Sequence, residues 1–302
     1  MTSRARVAVH GPTMTTMERA PLYYTPSGKV PTAGAIKLFA VGVPVMAAIG
    51  LAYGVASSYL SFHFLLGALC LFGGVVAVAT AAGLLLQWGR VRNRGFNVAA
   101  TVLLSLVALY GNWIGFLWAY SGWGFFLVSP VAIADAMGVV LRETGGGWLS
   151  IVLWIVEAAA LTLVPVLLSH EIDKPYCEVA NAWTAEETDV ARLVLREDLR
   201  RALEAGDFDA LVHAAPADFS NFEAIPPVFM ALDVYRSPRD DGEHFVTVNR
   251  CVLKVDDEAK VEVEKTPLVR FLRVPRDVLE RLPQTDDEPF QAALEKFTLY
   301  NS

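Results

Sequence analysis

Residues 38–89 read LFAVGVPVMAAIGLAYGVASSYLSFHFLLGALCLFGGVVAVATAAGLLLQWG, with no Asp, Glu, Lys or Arg among them. Crossing a bilayer takes ~20 apolar residues, so the run is long enough to cross twice. Its polar middle, Ser57-Ser58-Tyr59-Leu60-Ser61-Phe62-His63, is the natural break. The run therefore predicts a helical hairpin with spans over about 34–57 and about 63–88.

A second uncharged run goes from Gly95 to Ala134. It predicts a third span over about 96–120, followed by an aromatic, turn-rich stretch from Ser121 to Pro130 of the kind found at membrane interfaces. Residues 130–143 fit a short amphipathic surface helix opened by Pro130. Gly145-Gly146-Gly147 breaks it, and a fourth span fits about 148–168.

The whole composition agrees. Of 302 residues, 54% are hydrophobic and 19% charged, with a mean hydropathy of +0.41. A soluble domain carries about 25% charge. The chain is too apolar for a soluble globule or a disordered segment. Charge is also unevenly placed. Residues 1–168 hold 9 Lys+Arg against 4 Asp+Glu, and residues 169–302 hold 16 against 28. An α-helical bundle of four transmembrane helices is thus followed by an acidic, water-soluble region. The predicted domains are a flexible N-terminal segment (1–32), the membrane domain (33–168), a linker (169–183) and a cytosolic domain (184–302). The first thirty residues hold Arg4, Arg6, Arg19 and Lys29 with no apolar core of a signal peptide.

Arg90, Arg92 and Arg94 crowd the short loop between spans two and three. The positive-inside rule places that loop, and with four spans both termini, in the cytoplasm. Arg142 alone falls on the other side. Small residues mark helix-packing faces: Gly50 and Gly54, continuing to Ser58, on the first span; Gly73 and Ala77, continuing to Ala81, on the second; Gly111 and Gly115 on the third. Such faces let backbones approach closely, within a bundle or between copies in a homo-oligomer.

Glu157 lies near the middle of the fourth span. A charged group there costs about 2.5–3.5 kcal/mol on insertion scales, so it should face the bundle and have a partner. Asn112 on the third span sits at similar depth and is the expected partner; Tyr110, Thr101, Ser105 and His63 are the weaker choices. The pair reads as structural glue or, alternatively, as a proton or cation site.

Beyond the spans, Thr184-Ala-Glu-Glu187 resembles a capping box, and Val190, Val194, Leu195, Leu199 and Leu203 recur at helical spacing. A helix is expected over 185–205, with a shorter one after Asp207. Period-two runs at Val228–Tyr235, Phe245–Leu253 and Lys260–Lys265, on to Phe271, predict a three-stranded antiparallel meander. Pro275–Leu282 and Pro289–Leu299 close the chain as helices. The domain is a small α+β fold.

No phosphate-loop, dinucleotide, zinc-protease, nucleophile-elbow or kinase signature is present. Cys70, Cys177 and Cys251 make no CxxC pair, so neither a disulfide framework nor a zinc site is expected, and no cofactor. His170, His213 and His244 stand apart from one another. The acidic balance of residues 169–302 disfavours nucleic acid and the anionic membrane surface as partners of that region.

Several short motifs fit this layout: Tyr24-Thr-Pro-Ser-Gly28, Val91-Arg-Asn93, Trp154-x-x-Glu157, and Pro175-Tyr-Cys-Glu178 with Asn181 and Trp183. In these the chain is similar to uncharacterised bacterial four-span inner-membrane proteins with a cytosolic C-terminal domain. The resemblance implies no activity. The Pro175–Glu178 segment looks like half of a zinc knuckle whose second half falls near Ser237-Pro-Arg-Asp240, where no cysteine stands. The expected function is a non-enzymatic anchor or adaptor in membrane lipid, presenting its acidic domain to a cytosolic or membrane protein partner. The alternatives are a small transporter or channel using Glu157 and Asn112, and a membrane enzyme acting on a lipid-linked substrate at the Ser121–Arg142 segment with Asp135, Arg142 or Glu143.

Overall fold

The computed structural model describes residues 22–60, 64–143, 147–169, 174–220, 226–239, 241–255 and 261–301. It divides into two compact units. Of the described residues, one unit comprises those within 26–186 and 235–243; the other comprises those within 22–25, 187–234 and 244–301.

The first unit holds α1 (Thr32–Leu60), α2 (Phe64–Trp88), α3 (Arg94–Tyr120), α4 (Pro130–Glu143) and α5 (Gly147–Ser169). α1, α2, α3 and α5 are long and apolar enough to cross a membrane. α4 is amphipathic: Ile133, Met137 and Val140 recur at one helical turn and pack with Ile114 and Leu117. Asn93 caps α3, its side-chain oxygen accepting from the Phe96 amide at 2.9 Å.

α1 and α3 meet backbone to backbone. A Cβ at Gly50 would stand 1.9 Å from the Ala108 carbonyl oxygen, and one at Gly54 would stand 2.1 Å from that of Asn112. From the other side, a Cβ at Gly115 would reach 2.2 Å from the Leu51 oxygen, and one at Gly111 would reach 2.5 Å from that of Ala47. The two glycine pairs therefore face each other, and only Gly lets the helices come this close.

The small-residue face expected on α2 is a correction. Gly73 and Ala77 are exposed, and a Cβ at Gly73 would meet nothing within 4 Å. The buried line on α2 is one position on: Gly74 against the Tyr53 ring, then Val75, Val78, Ala82 and Leu85. The inner face mixes the small Gly74 and Ala82 with Val75, Val78 and Leu85, and it is Gly73 and Ala77 that lie outside.

Within the first unit the chain continues into a two-stranded hairpin, β1 (Tyr176–Cys177) and β2 (Ala182–Trp183). Trp183 donates its indole N–H to the Gln87 carbonyl at 2.8 Å, and Arg92 lies beneath Tyr176. Most of the segment read as a linker is therefore packed structure. Residues 170–173 and the break at 61–63, with His63 and His170, lie outside the described residues, as do 144–146.

The second unit is built on a four-stranded antiparallel sheet in the order β3-β4-β5-β6: β3 (Ala185–Val194), β4 (Val228–Arg236), β5 (His244–Val255) and β6 (Val261–Val274). The meander is present as β4–β6. The helix expected over 185–205 is not: residues 185–194 form β3, and only Leu199–Glu204 is helical, as α6. Thr184 does not cap; its hydroxyl donates to the Pro175 carbonyl at 2.9 Å. Pairing with β4 overrides the helical spacing. α7 (Asp209–Val212), α8 (Arg276–Glu280) and α9 (Glu288–Asn301) complete the unit.

β4 is buried on both faces. Met230, Leu232 and Val234 join Leu193, Leu203, Val246 and Leu272 on one side. Phe229 and Ala231 join Phe219, Cys251 and Phe290 on the other. The alternation is the period-two signature of a central strand.

The segment expected to be flexible at 1–32 is partly structured. Tyr23 bridges Leu272 on β6, and the Arg273 amide donates to the Leu22 carbonyl at 2.8 Å. In the helical unit, Asn93 Nδ2 donates to the Gly28 carbonyl at 3.1 Å. Residues 1–21 lie outside the described residues.

Candidate functional site

The one acid in the apolar spans is drawn into the bundle by its helix phase. Trp154, Glu157, Leu161 and Pro165 share one face of α5, and Leu161 is fully buried against α1–α3 side chains. Trp154 meets Trp113 edge-to-face at 5.2 Å. This seats Glu157 opposite Asn112, whose Nδ2 donates to Glu157 Oε1 at 3.1 Å. The pairing depends on residues far apart in sequence that share a depth.

A third partner was not anticipated. The Tyr53 hydroxyl of α1 lies within hydrogen-bonding reach of the same carboxyl. Its signal was in the sequence: Tyr53 lies one residue from Gly54, at the depth of Asn112 on the interdigitating face. A carboxyl, a carboxamide and a phenol from three helices thus meet in an apolar setting. Chemically this trio can share one proton and cross-link three helices. It holds no nucleophile paired with a base.

α3 carries more polarity than its composition advertises. Asn97, Thr101, Ser105 and Asn112 are all buried at helical spacing along one face. Asn97 Oδ1, Ser105 Oγ and Asn112 Oδ1 have no hydrogen-bond partner among the described residues.

The other expected groups do not converge. Asp135 is exposed, Arg142 Nε donates to the Gly138 carbonyl of its own helix, and Glu143 accepts from Tyr120 at 3.4 Å. Tyr110 is also drawn elsewhere, its hydroxyl donating to the Val128 carbonyl.

The three loop arginines have separate environments. Arg90 is exposed and adopts a left-handed φ of 53° at the end of α2. Arg94 opens α3. Arg92 is buried; its guanidinium lies 3.0 Å from Glu178 and 4.1 Å from the Tyr176 ring centre. Partial burial works against the Glu178 charge, but Ser27, Arg92 and Lys29 outweigh it and hold the carboxyl below the usual range. Burial raises the Tyr176 phenol despite nearby Arg92 and Arg90.

The half-knuckle at Cys177 does meet its expected complement. Cys177 Sγ accepts from the Ser237 hydroxyl at 3.3 Å and from the amides of Ala180 and Glu243, each at 3.4 Å. One sulfur and one hydroxyl stand where a knuckle would gather thiolates, so the loops are closed by hydrogen bonds. Among the described residues no three His, Cys, Asp or Glu side chains are grouped to hold a metal ion; Asp240 lies outside them.

In the second unit, burial pushes the Cys251 thiol up to about 11, far from a reactive thiolate. His213 Nδ1 lies 3.1 Å from the Asp209 carbonyl of its own short helix. The acidic stretch at 286–288 serves structure: Asp287 pairs with buried Arg192, which stacks 4.1 Å from the Phe290 ring centre. Asp256-Asp-Glu258 lies outside the described residues. No family model, curated protein or solved structure matches the chain.

Proposed function

We propose that the chain is a non-enzymatic, multi-pass protein of a bacterial inner membrane that presents an acidic α+β domain to a protein partner. Both termini are cytoplasmic in this reading, on the side of the Arg90–Arg94 loop. Tethering raises the effective concentration of the domain for its partner.

The observation that carries the reading is the outer edge of β6. The sheet ends there, and Leu22–Tyr24 covers only the portion at Phe271–Arg273. From Val261 to Arg270 the edge has no further strand beside it among the described residues. Glu262, Glu264, Lys265 and Thr266 are exposed, and Pro267, a residue sheets tolerate at edges and bulges, sits where the β5–β6 register shifts. Charges and proline guard such an edge against indiscriminate pairing. They leave it open to a complementary strand, which would gain main-chain hydrogen bonds.

The test is affinity purification of the full chain in mild detergent with copy-number mass spectrometry. A partner held at fixed stoichiometry by the wild type and lost from a Glu262→Lys/Glu264→Lys variant supports the reading. A partner equally bound by both, or none in fixed ratio, contradicts it.

The buried polar line on α3 favours a second reading, ion or proton movement through Glu157. Its test is flux into proteoliposomes, which Glu157→Gln would abolish.

A further inference from the structure

Where α1 begins and α2 ends, the helical unit encloses an open pocket of ≈ 610 Å³. Lys37, Leu84, Trp88, Arg90, Asn181 and Trp183 are among its lining residues. We propose that this pocket binds the phosphate headgroup of an anionic phospholipid through Lys37 and Arg90.

The charge of the pocket is one-sided. Lys37 and Arg90 line it, and among the described residues no carboxylate does. Glu178, an acid of the neighbouring hairpin, is already taken by Arg92 and Lys29, at 3.0 and 3.4 Å. Lys37 has no carboxylate within ion-pair distance among the described residues; its Nζ lies 5.8 Å from the Trp88 ring centre. Arg90 also reaches Tyr176. Two cations lining one pocket, with no acid lining it among the described residues, favour an anion there.

The walls are built to hold their shape. Gly34 and Gly89 touch so closely that a Cβ at Gly34 would lie 2.0 Å from the Gly89 oxygen. Trp183 is pinned to the Gln87 carbonyl. Arg90 and Asn181 take left-handed backbone conformations, which costs a residue with a side chain. The Arg90 and Val91 amides bond back to Gln87 and Leu86, so the arginine occupies a helix-ending position that glycine usually fills.

The pocket also has the surroundings of a lipid. Leu84 and Ile36 beside it are 62% and 64% exposed on two of the membrane-length helices. Trp88 and Trp183 are the side chains that settle at headgroup level. Basic pockets between spans at a membrane surface take anionic headgroups in this manner, with the acyl chains along the apolar flank. A soluble phosphate would gain nothing from that flank.

Native mass spectrometry of the full chain in neutral detergent, titrated with phosphatidylglycerol, tests the proposal. The expected result is one saturable lipid per chain, with phosphatidylcholine of the same chain length bound about tenfold more weakly. Lys37→Glu should weaken phosphatidylglycerol by about tenfold, and Arg142→Gln on α4 should leave it unchanged. Millimolar inorganic phosphate should not displace the lipid. Equal binding of the two lipids, an unaffected Lys37→Glu variant, an equal loss in Arg142→Gln, or displacement by free phosphate would each overturn the proposal. If Lys37→Glu fails to fold, Lys37→Gln decides on the same terms, with an expected loss of about fivefold.

Discussion

The α1–α3 seam and the β6 edge are opposite ways of ending a surface. At the seam, glycines bring carbonyl oxygens within reach of the facing helix, and the polar groups of Tyr53, Asn112 and Glu157 find one another. At the edge, the main chain from Val261 to Arg270 stops without a neighbouring strand among the described residues, and its charged side chains are exposed, Glu264 paired with Lys254 and Lys265 with Asp189. A closed seam supports a fixed scaffold. An open edge is where a second chain can add. The proposed division of labour follows from that contrast.

The contrast is most easily broken at the seam. Gly54→Leu drives a side chain into the Asn112 carbonyl and should cost about 3 kcal/mol, read as lost thermal stability in detergent. A tolerated leucine would mean the helices are not packed backbone to backbone. At the edge, Glu262→Lys/Glu264→Lys should weaken partner binding at least about tenfold, about 1.4 kcal/mol, while the melting temperature stays put. A matching fall in melting temperature would make those acids structural.

The Arg92–Glu178 contact sharpens the picture of the helical unit. Arg92→Gln should cost about 1 kcal/mol, discounted because Glu178 is partly exposed and keeps Lys29. The folded-state carboxyl of Glu178 lies below its unfolded value, so its contribution is complete above the ordinary glutamate range near pH 4.3. It fades as the pH falls through the lower folded value. Melting curves across the acid range should show that loss in the wild type and less of it in Arg92→Gln.

Glu157→Gln is expected to do little to stability, about 0.6 kcal/mol or less, because glutamine can still bond to Asn112 and Tyr53. A large loss would show that the ionised or shared-proton form matters, and would favour the transport reading. The smallest effect belongs to Gly73→Leu, within about 0.5 kcal/mol, since nothing lies near its missing Cβ. If Gly73→Leu instead splits an oligomer, that face joins copies of the chain.

Much of the fold was legible in the sequence because membrane spans announce themselves by length and absence of charge. α4 and the β4–β6 meander were legible for the same kind of reason, a clear period. The Gly50/Gly54 and Gly73/Ala77 stripes read alike, and only the first pair meets a neighbour, because the phase of a helix in a bundle is set by its bulky residues. β3 was missed because Val190, Val194, Leu199 and Leu203 mimic a helix across a strand–turn–helix junction. Arg192 gave no hint of burial: its partners Asp189, Asp287 and Phe290 include two from the far end of the chain. Of the polar trio, Asn112 and Glu157 were matched by depth alone. Tyr53 escaped because an aromatic residue in an apolar span does not look polar.

The central claim is that the portion of β6 with no strand beside it among the described residues receives a protein partner. It is tested most directly by placing a photo-reactive amino acid at Glu262 of the full chain and irradiating intact cells. The account predicts one discrete cross-linked species of constant added mass, absent when the same group replaces Leu149, exposed on α5. No cross-link at position 262, or the same diffuse pattern from both positions, would contradict it.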